Sequence, residues 1–154
     1  MSNIQPYLDH YATSHLNSTN KAIHWICIPA IMFSLFGLLY ALPFPFAAKG
    51  LFTNWAFVLF VASIFYYSRL SVPIALGMVG VGFGLVWGNK IVADSFGGAT
   101  WQVILGVFVV AWVGQFIGHK IEGKKPSFFE DVQYLLIGPA WLLHFIYKKM
   151  GIGY

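Results

Sequence analysis

Five histidines punctuate a chain otherwise poor in ionisable groups. Three of them stand where an apolar run begins or ends. His15 and His24 flank a polar break, Asn17-Ser18-Thr19-Asn20, at the entry to a long hydrophobic stretch. His119 closes another such stretch, with Gln115 one turn before it and Glu122 three residues after it. At 3.6 residues per turn these last three share one helix face. Imidazole suits Fe, Zn, Cu or Ni, and the residue types alone do not choose among them. Amides and a carboxylate beside the imidazoles can complete or orient a metal site, which makes Asn20, Gln115 and Glu122 candidate catalytic groups. For each histidine the competing reading carries equal weight: an interfacial imidazole bonded to backbone or headgroups. His10 lies five residues from His15, off its face, and reads as a solvated side chain. His144 belongs to an amphipathic segment that can turn it inward or leave it at an interface.

These side chains converge only if the chain bends. In one continuous helix His15 and His24 would differ by about 900°, which puts them on opposite faces. The polar break supplies the bend, since Asn, Ser and Thr compete for the backbone and cap helices. Residues 3–17 are expected as a short helix opening at Pro6, with Tyr7, Tyr11 and His15 on one face and Asn20 as N-cap of the next helix. Four apolar runs follow, at about 21–42, 52–68, 72–92 and 101–121, each sized to cross roughly 30 Å of hydrocarbon. Pro43 and Pro45 end the first. Gly80, Gly84 and Gly88 in the third, and Gly114 and Gly118 in the fourth, are small-residue series that let helix backbones approach. Residues 94–100 read as a loop. The last apolar segment, 132–147, is short and interrupted at Gly138-Pro139, so it reads as a helix pair lying in or dipping into one leaflet.

The whole is expected as an all-α polytopic membrane helix bundle, one integral-membrane domain over residues 1–154. The chain is 58% hydrophobic and only 9% charged, too few charges to cover a water-facing surface of this length. The net charge of +4 is scattered, which argues against nucleic acid as a partner. The single cysteine, Cys27, excludes an intrachain disulfide. The first twenty residues are polar and lack a signal-peptide pattern. Lys21, Arg69, Lys120, Lys124 and Lys125 fall on one side of the expected spans, against Lys49 and Lys90 on the other. That bias places the N-terminus, and with it His15, His24 and His119, at the cytoplasmic face. Trp25, Trp55, Trp87, Trp101 and Trp141 fit an interfacial aromatic belt. Gly80-x-Gly82-x-Gly84 lies inside an apolar helix with no preceding strand, so it is not a phosphate loop. No Ser-His-Asp arrangement is visible.

The pattern Tyr11-x3-His15-x-Asn17-x2-Asn20-x3-His24-x4-Pro29, followed by Gln115-Phe116-x-Gly118-His119 and then Pro126, resembles the 2-hydroxy fatty acid dioxygenase family. The resemblance covers nearly the whole chain, from about Gln5 to Lys149. It implies an Fe(II) enzyme that uses O2 to convert a 2-hydroxy fatty acid into the acid one carbon shorter. His15, His24 and His119 match the family's histidines and are the implied iron ligands. Asn20 matches the family asparagine, and Gly138-Pro139 matches a small-Pro step. Glu122 falls near a family glutamate, with the spacing one residue shorter. His144 has no fixed counterpart in the pattern and stands as a candidate fourth ligand. The implied partners are the 2-hydroxy fatty acid, O2 and the lipid bilayer, with Lys120, Lys124 and Lys125 placed to attract a carboxylate or headgroups. The implied localisation is the inner membrane of a bacterium or the endoplasmic reticulum of a fungus. The alternatives are a non-catalytic metal- or haem-binding membrane protein and a small transporter with protonatable histidines, although the second and third spans offer almost no polar path.

Overall fold

The structure, a computed structural model, describes residues 3–123, 132 and 134–154; these are all-helical, with no strand among them. Helix α1 covers Gln5–Ala12, with Pro6 in its first turn, where a missing N–H costs nothing. It ends earlier than expected. The chain turns after Ala12, with the Thr13 hydroxyl donating to the His10 carbonyl at 2.7 Å, so His15 sits in the turn and not on the helix. Helix α2 covers Ser18–Ala41. Its N-cap is Asn17, not the expected Asn20. Asn17 has an extended backbone (ψ 131°), and its side chain accepts from the N–H groups of Thr19 and Asn20. A cap must stand just outside the helical dihedrals. Asn20 lies inside the first turn, which leaves its side chain for other work.

Helix α3 spans Trp55–Leu70, capped by Asn54, and Ser71 both ends it and caps α4. Helix α4 spans Val72–Phe96. The expected 94–100 loop shrinks to a single 3-10 turn, Gly97–Ala99, entered at Gly97 with φ +57°, a conformation open to glycine. Helix α5 follows at Thr100–Ile121. The last described helix, α6, covers Ile137–Met150, with Gly138-Pro139 in its first turn; residue 132 is helical and 134–136 form a turn, so the expected interruption of the 132–147 segment falls just before Gly138-Pro139.

α2 and α5 pack antiparallel. Gly118 near the end of α5 lies against Asn20 and His24, and Ile104 near its start lies against Gly37. α4 runs alongside α2, tied by the Asn89 amide donating to the Phe33 carbonyl at 3.0 Å. α3 seats Phe60 against Gly82 of α4. Gly80 and Gly84 face open space, while Gly88 of the same row lies against Phe33 of α2, so the expected close approach is made at one of the three; Gly82, outside that row, carries the contact with α3. α6 crosses the end of the bundle where α2 begins and α5 ends. Tyr67 on α3 donates to the Leu136 carbonyl at 2.6 Å, and Tyr147 on α6 donates to the Pro73 carbonyl at 2.8 Å. Every residue from Ile137 to Leu143 is buried.

α2 and the run Val72–Ile121 are long and apolar enough to cross a membrane; α3, with 16 residues, is shorter. Ile26, Phe65, Leu76 and Val110 stand exposed on the outer faces.

Candidate metal centre

Three local structures deliver three imidazoles to one point. The Thr13–Asn17 turn brings in His15, the first turns of α2 bring in His24, and the last turn of α5 brings in His119. All three are buried. One ring nitrogen from each lies within 4.8 Å of the other two, a spread that a single cation with bonds of about 2.1 Å can gather after small ring rotations. Ring centroids are 4.3 Å apart for His15 and His24, 5.1 Å for His24 and His119, and 5.7 Å for His15 and His119.

The tautomers follow from the backbone. His15 Nδ1 is 2.7 Å from the Tyr11 carbonyl and His24 Nδ1 is 2.9 Å from the Asn20 carbonyl. A carbonyl only accepts, so each Nδ1 carries the proton and Nε2 is the basic nitrogen. This is how metal-ligating histidines are usually oriented. His24 Nε2 is buried with no hydrogen-bond partner among the described residues. A buried polar atom left unmatched is costly, and a cation would satisfy it. The three rings therefore fit a divalent transition metal on their own geometry.

Glu122 caps α5 and reaches across to the turn that holds His15. Its carboxylate accepts from the backbone N–H of Leu16 at 2.8 Å, of Asn17 at 2.9 Å and from the Asn20 amide at 2.9 Å. Burial works to raise its pKa, but the hydrogen bonds from Asn20, Asn17 and Leu16 outweigh it and hold the carboxyl below its ordinary range. Both oxygens are thus engaged with the turn, and Glu122 is not among the groups close enough to share a cation with the histidines. Asn20 also donates to the Ser14 carbonyl at 3.2 Å. Gly118 makes this packing possible, because a Cβ there would collide with Asn20 Oδ1 and crowd the His24 ring.

The structure leaves His144 apart from the three histidines. It contacts Tyr154 and is not among the groups close enough to share a cation with the other three, so the fourth ligand expected there is not brought to the site. His10 is exposed, with its ring tilted against Tyr134 at 5.6 Å between centroids. Lys120 is exposed; Lys124, Lys125, Pro126 and Glu130 lie outside the described residues. Gln115 is buried one turn before His119.

Residues 1–150 match a family described as 2-hydroxy-palmitic acid dioxygenase Mpo1-like. The chain belongs to the Mpo1-like family. It is also 29% identical to the 2-hydroxy-palmitic acid dioxygenase MPO1 of Saccharomyces cerevisiae over 150 residues, which is 96% of this chain and 82% of that relative. No solved structure matches.

In this Mpo1-like chain two aromatic rings lie against His15, and neither was expected as part of the site. Tyr11 stacks on His15 at 4.2 Å between centroids. Trp141 lies 5.1 Å from His15 and edge-on to Tyr11. Trp141, expected in an interfacial belt, is only 2% exposed. Its place in the C-terminal apolar segment gave no hint, because the folding of α6 over the bundle end is a tertiary event. Tyr11 did carry a signal: it stands four residues before His15 in the N-terminal pattern.

Proposed function

We propose that this protein is an Fe(II)-dependent dioxygenase that converts 2-hydroxy fatty acids into fatty acids one carbon shorter. The observation that carries the reading is the buried trio His15, His24 and His119, with Nε2 presented by two of them, in a chain of the Mpo1-like family. The reaction balances without a reductant: R–CH(OH)–COOH and O2 give R–COOH, CO2 and water. Iron held by the three imidazoles would supply O2 activation and would bear positive charge, which favours a carboxylate substrate. The protein's own residues do the rest. The Tyr11 and Asn20 carbonyls fix the rings of His15 and His24. Glu122 and Asn20 hold the turn that carries His15 against α5. Tyr11 and Trp141 cover His15 and keep bulk water from that side of the trio.

The same reading places the chain in a bilayer as four spans, α2 to α5, with the histidines at the cytoplasmic face and α6 lying across the end. The apolar outer faces of α2, α3, α4 and α5 support this, as does the excess of basic residues on the histidine side.

The test is metal analysis paired with product analysis. Purified protein is expected to hold iron and to turn 2-hydroxypalmitate into the acid one carbon shorter only with Fe(II) and O2. His15→Ala, His24→Ala and His119→Ala should each lose iron and on the order of a hundredfold or more in turnover, since even outer partners of a metal site cost about 10–100-fold. His144→Ala should keep both. Full turnover in the three variants, or a protein that holds no iron and makes no product, would sink the proposal.

A further inference from the structure

We propose that one anionic phospholipid, with a hydroxyl-bearing phosphodiester headgroup, binds along α2 and α5 with its head at the end of the bundle away from the histidines. The inference rests on the bilayer placement above and is independent of the dioxygenase reading. The head site is a cavity of about 440 Å³ between the end of α2, the end of α4 and the start of α5. That volume lies within the range of small-molecule sites, roughly 300–1,000 Å³. Tyr40, Lys49, Lys90 and Asp94 line it. Asp94 holds Lys90 at 2.5 Å. Lys49 forms no ion pair among the described residues, and its ammonium stands 5.4 Å from the centre of the Tyr40 ring. Tyr40 is only 5% exposed, and its hydroxyl has no hydrogen-bond partner among the described residues. Two ammoniums against one carboxylate, with a buried hydroxyl still to be matched, suit an anion that also carries hydroxyls.

A second hollow, of about 500 Å³, lies further along the same helix pair. Its floor is small and apolar, with Ala30 on α2 and Gly106, Ala111 and Gly114 on α5, and its rim carries the exposed Ile26 and Val110. The two hollows are in line. Ile26 and Ala30 line the groove and Gly37 and Ala41 the cavity, at steps of four, seven and four, which is one stripe of α2. From Trp101 at the cavity to Gly114 at the far end of the groove α5 rises about 20 Å. One leaflet's share of the hydrocarbon core is roughly 15 Å, so the groove accepts a single acyl chain lying along the helices. Bilayer hydrocarbon is as apolar as the groove, so the tail gains only packing there, and the head decides which lipid binds. A phosphodiester brings the negative charge that Lys49 lacks, and its hydroxyls reach Tyr40. A phosphatidylcholine head is neutral overall and has no hydroxyl. A fatty acid carboxylate answers the charge and leaves most of the cavity empty.

Native mass spectrometry of the full-length protein in detergent tests this by counting the lipids retained. The probes are phosphatidylglycerol, phosphatidylcholine of the same acyl chains, palmitate and glycerol 3-phosphate. The wild type should retain one phosphatidylglycerol and prefer it to phosphatidylcholine by about fivefold or more. Lys49→Gln should weaken phosphatidylglycerol about fivefold and erase the preference. Tyr40→Phe keeps the ring and should weaken it roughly threefold. A Cβ on Gly106 meets nothing within 4 Å, so Gly106→Leu fits the fold; it fills the groove and should weaken both phospholipids alike. Lys148→Gln, on the last turn of α6, should change nothing. Equal retention of the two phospholipids by the wild type overturns the inference, as does a full preference in Lys49→Gln or undiminished retention of both in Gly106→Leu. Palmitate or glycerol 3-phosphate held as tightly as phosphatidylglycerol overturns it too, by assigning the cavity to a fatty acid or to a soluble phosphate ester. Any of these results in a protein that still makes the shortened acid leaves the dioxygenase reading standing.

Discussion

The Glu122 carboxylate takes its partners from the backbone N–H groups of Leu16 and Asn17 and from the Asn20 amide, and these bonds hold its pKa below the ordinary 4.5 against the opposing effect of burial. A folded-state pKa below the unfolded value means that the native state binds fewer protons in that interval. Its contribution to stability is therefore present above about pH 4.5 and lost as pH falls through the depressed folded value. Thermal unfolding followed downward from neutral pH should show the wild type losing Tm steeply on its acid limb. Glu122→Gln, which turns a donor toward donors, should start lower and fall less steeply. Equal slopes in the two proteins would remove Glu122 from this role. The three histidines were legible in the sequence because polar groups are few and costly beside long apolar runs. Glu122 was legible only as a nearby carboxylate. Its partners include main-chain N–H groups, which every residue carries and which leave no mark in a sequence.

Helix contacts separate glycines that look alike on paper. Gly118 meets Asn20 and His24, whereas Gly84 faces open space. Gly118→Ala should overpack the α2–α5 contact at a cost of about 1–3 kcal/mol, with loss of bound metal. Gly84→Ala should be neutral, or stabilise by up to about 1 kcal/mol through helix propensity. Denaturant melts and metal content of the two variants check both; equal behaviour would refute the assignment. Both glycine series have spacing four, so the sequence could not say which one faces a neighbour. The boundaries of α1 and α2 show the same limit. Periodicity carries through Tyr7, Tyr11 and His15, yet the extended backbone that Asn17 needs as a cap stops α1 at Ala12. α6 was harder still: a short apolar segment with Gly-Pro suits several placements, and only packing against Tyr67, Tyr11 and Trp141's neighbours selects one.

At the scale of the molecule, the candidate metal ties the start of the chain to the end of α5. A ligand that binds only the folded state adds stability by mass action, about 4 kcal/mol when present at a thousand times its dissociation constant. Chelation should therefore lower the Tm of the wild type and leave that of His119→Ala unchanged; a wild type indifferent to chelator would argue against a structural share for the metal. The spacing of the candidate ligands also sets a timetable. His15 and His24 leave the ribosome early, but the third imidazole is residue 119 of 154. A nascent chain therefore exposes a two-nitrogen chelator for most of its synthesis, too sparse to hold an ion firmly. On the metal reading, metallation would be a late event, gated by the arrival of α5, and a cation captured too soon could still be exchanged before the enclosure shuts.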